Sequence, residues 1–296
     1  MLAAAMIVSA SYRNDIPAFY GTWFDRRLTA GFCRVRNPYG GQSYQVALAG
    51  EAVDGFVFWT RNVAPFLPQL ARLRGLGPPF VVHYTVLDYP TLLDRSVPPA
   101  ADQIRLMHRL AAEYGPHAVV WRYDPVVFSS LTDRRHHLAS FGRLARALAG
   151  ASDEVVISFV NPYRKARRRL DRAAREGDFS WFDPEAGEKR RLAAELAVIA
   201  AEHGMRLTVC SQAALLAPGT EPARCIDAER LARIAGRPIQ APQMGNRPDC
   251  LCHRSRDIGA YDSCPHGCLY CYGVASRRRA VAGFQSHDPS AAELLP

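Results

Sequence analysis

Val53-Asp-Gly-Phe-Val-Phe-Trp59 and Phe80-Val-Val-His-Tyr-Thr-Val86 are the two stretches that decide the fold, together with the helical segment 65–74 between them. Both runs are short and rich in β-branched and aromatic residues, which is typical of buried strands. A strand, a helix and a second strand in this order form one unit of a parallel sheet.

The same alternation continues along the chain. We predict further strands at 6–10, 118–123, 155–160 and 207–210, with weaker ones at 239–241 and 257–261. Amphipathic helices are predicted around 18–30, 104–114 and 192–199. Six to eight such units in about 260 residues favour an α/β fold of the (β/α) barrel type, TIM-barrel-like and closed or partly open.

The sequence offers no linker that would divide this barrel. We therefore predict a single domain over residues 1–273, which includes a cysteine-rich segment at 250–273. Residues 33–49 fit a hairpin inserted into the barrel, because the turn-forming residues at 37–41 separate two short extended runs. The last segment, 274–296, reads as a weakly ordered tail.

The amino-acid composition excludes several classes of protein. The chain has 296 residues, of which 48% are hydrophobic, so collagen, extended disorder and a disulfide-stapled miniprotein are excluded. Its apolar runs are far shorter than the roughly 20 residues that a membrane span needs. The first residues lack the basic leading segment of a signal peptide, so we expect a cytoplasmic protein without membrane contact.

The formal net charge of +9 raises the question of nucleic acid. The basic residues are densest at 164–175, where they recur at helical spacing, and again at 277–279. A solvated helix face explains the first run without any ligand. The alternative is a nucleic-acid-associated protein, and the charge alone does not decide between them.

Polar side chains follow nearly every predicted strand. Arg13 and Asp15 follow the first, Arg61 follows the second, and Arg122 and Asp124 flank the end of the fourth. In a parallel barrel these strand ends converge on one rim, where active sites lie. We therefore predict catalytic or ligand-binding roles for these five residues, with Arg122 the best candidate for an anionic group because its guanidinium is a permanently charged fork.

The cysteines are unevenly distributed. Cys33 stands alone, whereas the other seven of the eight lie between positions 210 and 271. Thiols stay reduced in the cytoplasm, so clustered cysteines indicate a metal site there. We interpret Cys33 as a packing residue.

The chemistry is carried by Cys264-Pro-His-Gly-Cys268-Leu-Tyr-Cys271. Three thiolates at this spacing can bind three irons of a [4Fe–4S] cube and leave the fourth iron open. Gly267 allows the tight turn that such a loop needs, and Tyr270 is placed to cover the cofactor. Zinc is the alternative, although structural zinc sites usually take two closely spaced cysteine pairs.

This spacing and its aromatic residue resemble the signature of the radical S-adenosylmethionine superfamily. The resemblance implies an enzyme that binds S-adenosylmethionine at the open iron and takes an electron from a donor such as flavodoxin or ferredoxin. In that superfamily the motif follows the first barrel strand. Here it follows the segment 257–261, which would then be the first strand of a circularly permuted barrel.

The whole chain, from about residue 7 to 273, also resembles the domain-of-unknown-function family 1848. The segments that resemble the family are Ser9-Ala-Ser-Tyr-Arg-Asn-Asp-Ile-Pro-Ala-Phe-Tyr20, Val57-Phe-Trp-Thr-Arg-Asn62, Trp121-Arg-Tyr-Asp-Pro125, Ile157-Ser-Phe-Val160 and the stretch 250–272. Asn14 and Asn161-Pro162 depart from the residues expected in that family. The resemblance implies a fold but no substrate.

Four further cysteines, Cys210, Cys225, Cys250 and Cys252, would complete a second site of four thiolates. The family resemblance favours a function for all four. This second site could hold either another iron–sulfur cluster or a structural zinc ion. We therefore expect one or two iron–sulfur clusters in the protein. A hydrolytic barrel with an appended zinc ribbon is a third interpretation of the whole chain.

Overall fold

The computed structural model describes residues 6–295, and its centre is an eight-stranded sheet in which every neighbouring pair of strands is parallel. In chain order the strands are β1 (Met6–Ala10), β2 (Phe32–Arg36), β3 (Ser43–Ala47), β4 (Val53–Thr60), β5 (Phe80–Thr85), β6 (Val119–Val126), β7 (Phe128–Ser129), β8 (Glu154–Phe159), β9 (Trp181–Phe182), β10 (Arg206–Val209), β11 (Thr220–Pro222) and β12 (Ser255–Asp257). The helices are α1 (Ile16–Phe19), α2 (Gly21–Ala30), α3 (Leu67–Leu76), α4 (Ala100–Tyr114), α5 (Arg134–Leu148), α6 (Arg164–Glu176), α7 (Ala186–Glu202), α8 (Ala228–Ala235) and α9 (Arg277–Gln285).

The spatial order of the central strands is β12-β1-β4-β5-β6-β8-β10-β11. This is the order along the chain, except that the last strand comes first and lies beside β1. The register places Asp257 opposite Ser9 and Ser9 opposite Val57. The loop that follows β12 therefore starts from the same edge of the sheet as the loops after β1 and β4.

The two faces of the sheet bury different partners. One face packs against the long helices, with Phe56, Val82 and Trp121 in the same apolar cluster as Leu70, Met107, Phe141 and Leu196. The other face contributes Ile7, Val57, Val81, Val120 and Val156 to a separate cluster with α8. Because the strands are buried on both faces, their sequences read as nearly continuous apolar runs.

Gly55 shows how closely α8 approaches this second face. A Cβ atom there would lie 2.8 Å from the carbonyl oxygen of Pro79 and 3.1 Å from Leu231 of α8. A side chain at position 55 would therefore push α8 off the sheet. The carboxylate of Asp227 fixes the start of α8, since it accepts a hydrogen bond from the backbone N–H of Glu229 at 2.9 Å.

Most predicted elements agree with the structure to within a few residues, and the predicted hairpin at 33–49 is the antiparallel pair β2–β3. The prediction of a strand at 239–241 is wrong, because these residues are irregular. The predicted strand 257–261 is shifted, since β12 ends at Asp257. The short edge strand β11 directly follows a turn at Pro218-Gly219 and was not predicted.

The segment 274–296 is also not the weakly ordered tail that the sequence suggested. Its described part contains α9 and then packs along the hairpin, where the Arg34 N–H donates to the Ala292 carbonyl at 2.8 Å. The indole N–H of Trp23 donates to the Ala291 carbonyl at 3.0 Å. Burial of Leu294 explains why this polar-looking segment stays ordered. In the described part of the chain, no helix is both long and apolar enough to cross a bilayer.

Candidate functional site

Asp257 anchors the cysteine loop where β12 ends. Its carboxylate accepts hydrogen bonds from the hydroxyls of Ser9 at 2.6 Å and Ser11 at 2.8 Å. It also accepts from the backbone N–H of Tyr12 at 3.1 Å and of Gly259 at 3.0 Å. Burial raises the pKa of this carboxyl group. One buried side chain thus joins the segment after β1 to the segment after β12.

The three cysteines of the motif, Cys264, Cys268 and Cys271, line a single cavity of about 530 Å³. Gly267 turns the loop between the first two, with a φ of +84° that favours glycine. A Cβ there would also meet the Arg277 side chain at 2.5 Å, so the predicted need for glycine is confirmed. Burial raises the pKa of the Cys264 and Cys268 thiols.

Arg61 and Tyr270, the two predicted cofactor-binding residues, lie together beside Cys268. The Arg61 guanidinium donates to both carboxylate oxygens of Asp94, at 2.9 and 2.6 Å. It also donates to the Tyr270 hydroxyl and lies 3.5 Å from the Cys268 sulfur. Burial acts to lower the pKa of Arg61, but Asp94, Tyr270 and Cys268 together outweigh it and keep the pKa well above its ordinary value. A permanent positive charge therefore lies against one motif sulfur.

Asp15, a predicted catalytic residue, is occupied by contacts within the protein. One oxygen caps α1 by accepting from the Ala18 N–H at 2.9 Å. The other accepts from the Arg61 N–H at 2.8 Å and lies 2.9 Å from Nε2 of His266, inside the motif. The second nitrogen of His266 lies 2.8 Å from the Ser96 carbonyl. Asp15 therefore positions the motif and does not face an open site.

Arg169 explains part of the basic run at 164–175. It reaches from α6 to the motif loop and donates to the carbonyls of Leu269, at 3.1 Å, and of Cys271 and Val274. From the other side, Arg277 of α9 donates to the Pro265 carbonyl at 3.0 Å. Both basic stretches identified in the sequence therefore hold the backbone of the cysteine loop.

A second group of cysteines lies on the face of the sheet that carries α8. It consists of Cys210, Cys225, Cys250 and Cys252. The sulfurs of Cys210 and Cys225 lie 3.5 Å apart, and hydrogen bonds continue from Cys225 to Cys252 and on to Cys250. The hydrogen bond with Cys252 lowers the pKa of the Cys250 thiol to about 6. In the chain between residues 6 and 295, no set of three or more His, Cys, Asp or Glu side chains is placed so that it could hold a metal ion.

Arg122 and Asp124 belong to this second group and not to the motif. The Arg122 guanidinium donates to Asp124 at 3.1 Å and to the Cys225 sulfur at 3.1 Å, and it is buried. Arg13, the remaining predicted rim residue, lies 3.6 Å from Asp257 and over the rings of Tyr12 and Tyr261. The five rim residues are thus near the cysteines, but each is paired within the protein.

The family comparison covers both cysteine groups. A model of the family described as Domain of unknown function (DUF1848) matches residues 7–273. The chain belongs to the DUF1848 family. None of the curated proteins matches it. The matched region of this DUF1848 chain contains the central sheet except for Met6 and ends two residues after Cys271, so α9 and the segment after it lie outside the match.

Sequence reasoning missed three residues that position the motif of this DUF1848 chain: Asp94, Asp257 and Arg169. Asp257 lies in one of the segments that carried the family resemblance, so a signal for it was present. Arg169 was hidden among arginines of similar spacing. Asp94 has no local signal, because only the fold brings the loop after β5 against Cys268.

Proposed function

We propose that this chain is a radical S-adenosylmethionine-type iron–sulfur enzyme in which Cys264, Cys268 and Cys271 bind a [4Fe–4S] cluster. The observation that carries the proposal is the position of the three cysteines. They line one cavity in the loop after β12, the strand that comes first in the spatial order of the sheet. When bound, the cluster supplies the electron for reductive cleavage of S-adenosylmethionine held at its open iron.

The strand order supports a permuted barrel as the finer description of the fold. The order along the chain becomes the order in space once β12 is placed before β1. The long helices share one apolar cluster with one face, while α8 and several cysteines lie on the other. This arrangement fits a (β/α) barrel that is open between β11 and β12, with its interior occupied by α8 and the second cysteine group.

The donor chemistry of the motif suits a cluster, which is larger than the single metal ion for which no site is formed in the described residues. Three cysteine thiolates are soft ligands, and each can bind a different iron. The protein's own part is to hold the loop and to balance its charge. Asp257, Arg169 and Arg277 fix the backbone of the loop, while Arg61 places a positive charge and an N–H donor at the Cys268 sulfur. Hydrogen bonds to ligand sulfurs are known to tune the reduction potentials of such clusters.

The second group, Cys210, Cys225, Cys250 and Cys252, is proposed to hold an auxiliary iron–sulfur cluster, with zinc as the alternative. Four thiolates, three of them on buried cysteines, would carry more negative charge than either metal group neutralises. Arg122, at 3.1 Å from the Cys225 sulfur, and Arg247, at 3.6 Å from the Cys210 sulfur, supply compensating positive charge. This charge argument applies equally to both metals, so metal analysis has to separate them.

The test is anaerobic purification and reconstitution, followed by counting iron and sulfide per chain. We expect about four irons for one cluster and about eight for two. S-adenosylmethionine and a strong reductant should then yield 5′-deoxyadenosine. Cys264→Ser should remove this product and about half of the iron if two clusters are present, whereas Cys33→Ala should change neither. Protein that contains no iron after reconstitution would refute the proposal.

The second candidate function is a nucleic-acid-associated protein with structural iron–sulfur or zinc sites. It is favoured by the basic stretches of α6 and α9, which remain partly exposed. Such a protein would bind nucleic acid and contain metal without forming 5′-deoxyadenosine. Zinc without iron, together with hydrolytic activity, would instead indicate the hydrolytic barrel.

A further inference from the structure

The two basic stretches, about a hundred residues apart in the chain, meet at the cavity of the cysteine motif. Arg172 of α6, Arg278 of α9 and Arg95 of the loop after β5 all line that cavity. All three are exposed, and none forms an ion pair with another residue in the range 6–295. Their charge therefore faces solvent beside Cys264, Cys268 and Cys271.

The exposed face of α6 is charged at a cost in stability. Arg164, Arg168 and Arg172 follow one another at intervals of four residues, a spacing at which like charges repel. Neither acid of the helix forms an ion pair with them in the described residues: Asp171 accepts from the Trp181 indole at 2.9 Å, and Glu176 lines the same cavity as Arg172. At a rise of about 1.5 Å per residue, these three arginines extend over roughly 12 Å of α6. An extended anion would relieve this repulsion.

Two aromatic rings lie next to each other at the start of α6. Tyr163 immediately precedes α6, and Tyr272 immediately follows Cys271. Both rings are half-exposed, and their centroids lie 6.4 Å apart. Exposed aromatic rings near basic side chains are the usual platform on which unpaired bases stack. Tyr163 adjoins the basic run in the sequence, but only the fold brings Tyr272 next to it.

We propose that α6, α9 and these two tyrosines form a binding surface for single-stranded nucleic acid, which is the substrate delivered to the cysteine motif. Arginine forks would bind phosphates, and Tyr163 and Tyr272 would stack on bases. A single strand is specified because the bases of a duplex are already stacked on each other. That this single-stranded nucleic acid is the substrate rests on the proposed function. That the surface binds it does not.

The experiment is fluorescence anisotropy with labelled RNA and DNA strands of about 20 nucleotides, at salt concentrations from about 50 to about 200 mM. The affinity of the reconstituted protein should fall steeply with salt. Arg172→Ala combined with Arg278→Ala should make the log–log slope shallower by about 1.4, since each phosphate contact on a single strand contributes about 0.7. Tyr163→Ala should weaken binding by on the order of tenfold at every salt concentration.

Matched controls separate local contacts from net charge. Arg105→Ala with Arg109→Ala removes the same charge from α4, where both arginines are paired with carboxylates, and should leave the slope unchanged. Tyr39→Ala removes an even more exposed ring from the hairpin, 89% against 43% for Tyr163, and should leave the affinity unchanged. Circular dichroism spectra of all variants should be unaltered.

Three results would overturn the inference. These are an absence of binding at low salt, tighter binding of duplex than of single strands, and competition by polyglutamate as effective as by RNA, which would indicate an acidic protein partner. Iron content and 5′-deoxyadenosine formation are measured on the same samples. If iron content and 5′-deoxyadenosine formation persist but the protein does not bind nucleic acid, only this inference fails. If the protein binds nucleic acid but contains no iron, the proposed enzyme fails and the binding surface is retained.

Discussion

The Arg61–Asp94 pair allows a quantitative test of how the motif is supported. Both side chains are buried, with 8% and 6% of their surfaces exposed, and they form two hydrogen bonds. Asp94→Asn keeps the shape of the side chain but leaves the Arg61 charge uncompensated. Removing one partner of a buried pair costs about 3–5 kcal/mol. With an unfolding entropy of about 2.1 cal/mol/K per residue, this loss should lower the melting temperature by about 5–8 °C.

The assay is thermal unfolding of the metal-free protein under anaerobic conditions, so that loss of a cluster does not contribute. Asp25→Asn is the matched control, because Asp25 pairs with Arg72 at 2.6 Å while both side chains are more than a third exposed. Exposed pairs contribute about 1 kcal/mol or less. The double variant of Arg61→Gln with Asp94→Asn should lose less than Asp94→Asn alone. If Asp94→Asn and Asp25→Asn are equally mild, the reasoning about buried charge at the motif is wrong.

Three further predictions concern the motif loop and its surroundings. Gly267→Ala should lower the iron content after reconstitution, because position 267 has positive φ and no room for a Cβ, whereas Gly187→Ala, with open space around it, should not. Arg169→Ala should reduce both iron content and thermal stability through the loss of three hydrogen bonds to loop carbonyls, while its exposed neighbour Arg168→Ala should reduce neither. Burial raises the pKa of Cys33 from 9.0 to about 12, so the folded state keeps a proton that the unfolded chain has lost. Stability of the apo-protein should therefore fall across that window by about 1.4 kcal/mol per pH unit, and less in Cys33→Ala, as measured by urea unfolding at fixed pH values.

The parts of the fold that were predictable are those with a local signal. Phe80–Thr85 is apolar at every position except His83 and Thr85 and could hardly be anything other than a buried strand. The hairpin was visible from its turn residues. By contrast, β11 and β12 have three residues each, too few to show a period. They exist because neighbouring strands offer them hydrogen-bonding partners, which is information that the local sequence does not contain.

The same division applies to the candidate site. The cysteines and Gly267 were identifiable because the motif places fixed residue types at fixed spacing. The arginines of the rim were identified, but their partners were not. Arg61 is paired with Asp94 and Arg122 lies against Cys225, contacts that span 33 and 103 positions in the chain. Pairing of this kind depends on which strands become neighbours, so it could be read only from the fold.

The cysteine motif comes late in the chain, yet the strand that precedes it, β12, lies beside the first strand, β1. A parallel sheet requires only that β12 lies beside β1, and the chain can supply that strand at either end. A strand of three residues contributes few ladder hydrogen bonds. The carboxylate of Asp257 adds four more to the segments after β1 and β12, two from hydroxyls and two from backbone N–H groups. The position of the cysteine loop beside β1 therefore depends more on this one buried side chain than on the length of the strand that precedes it.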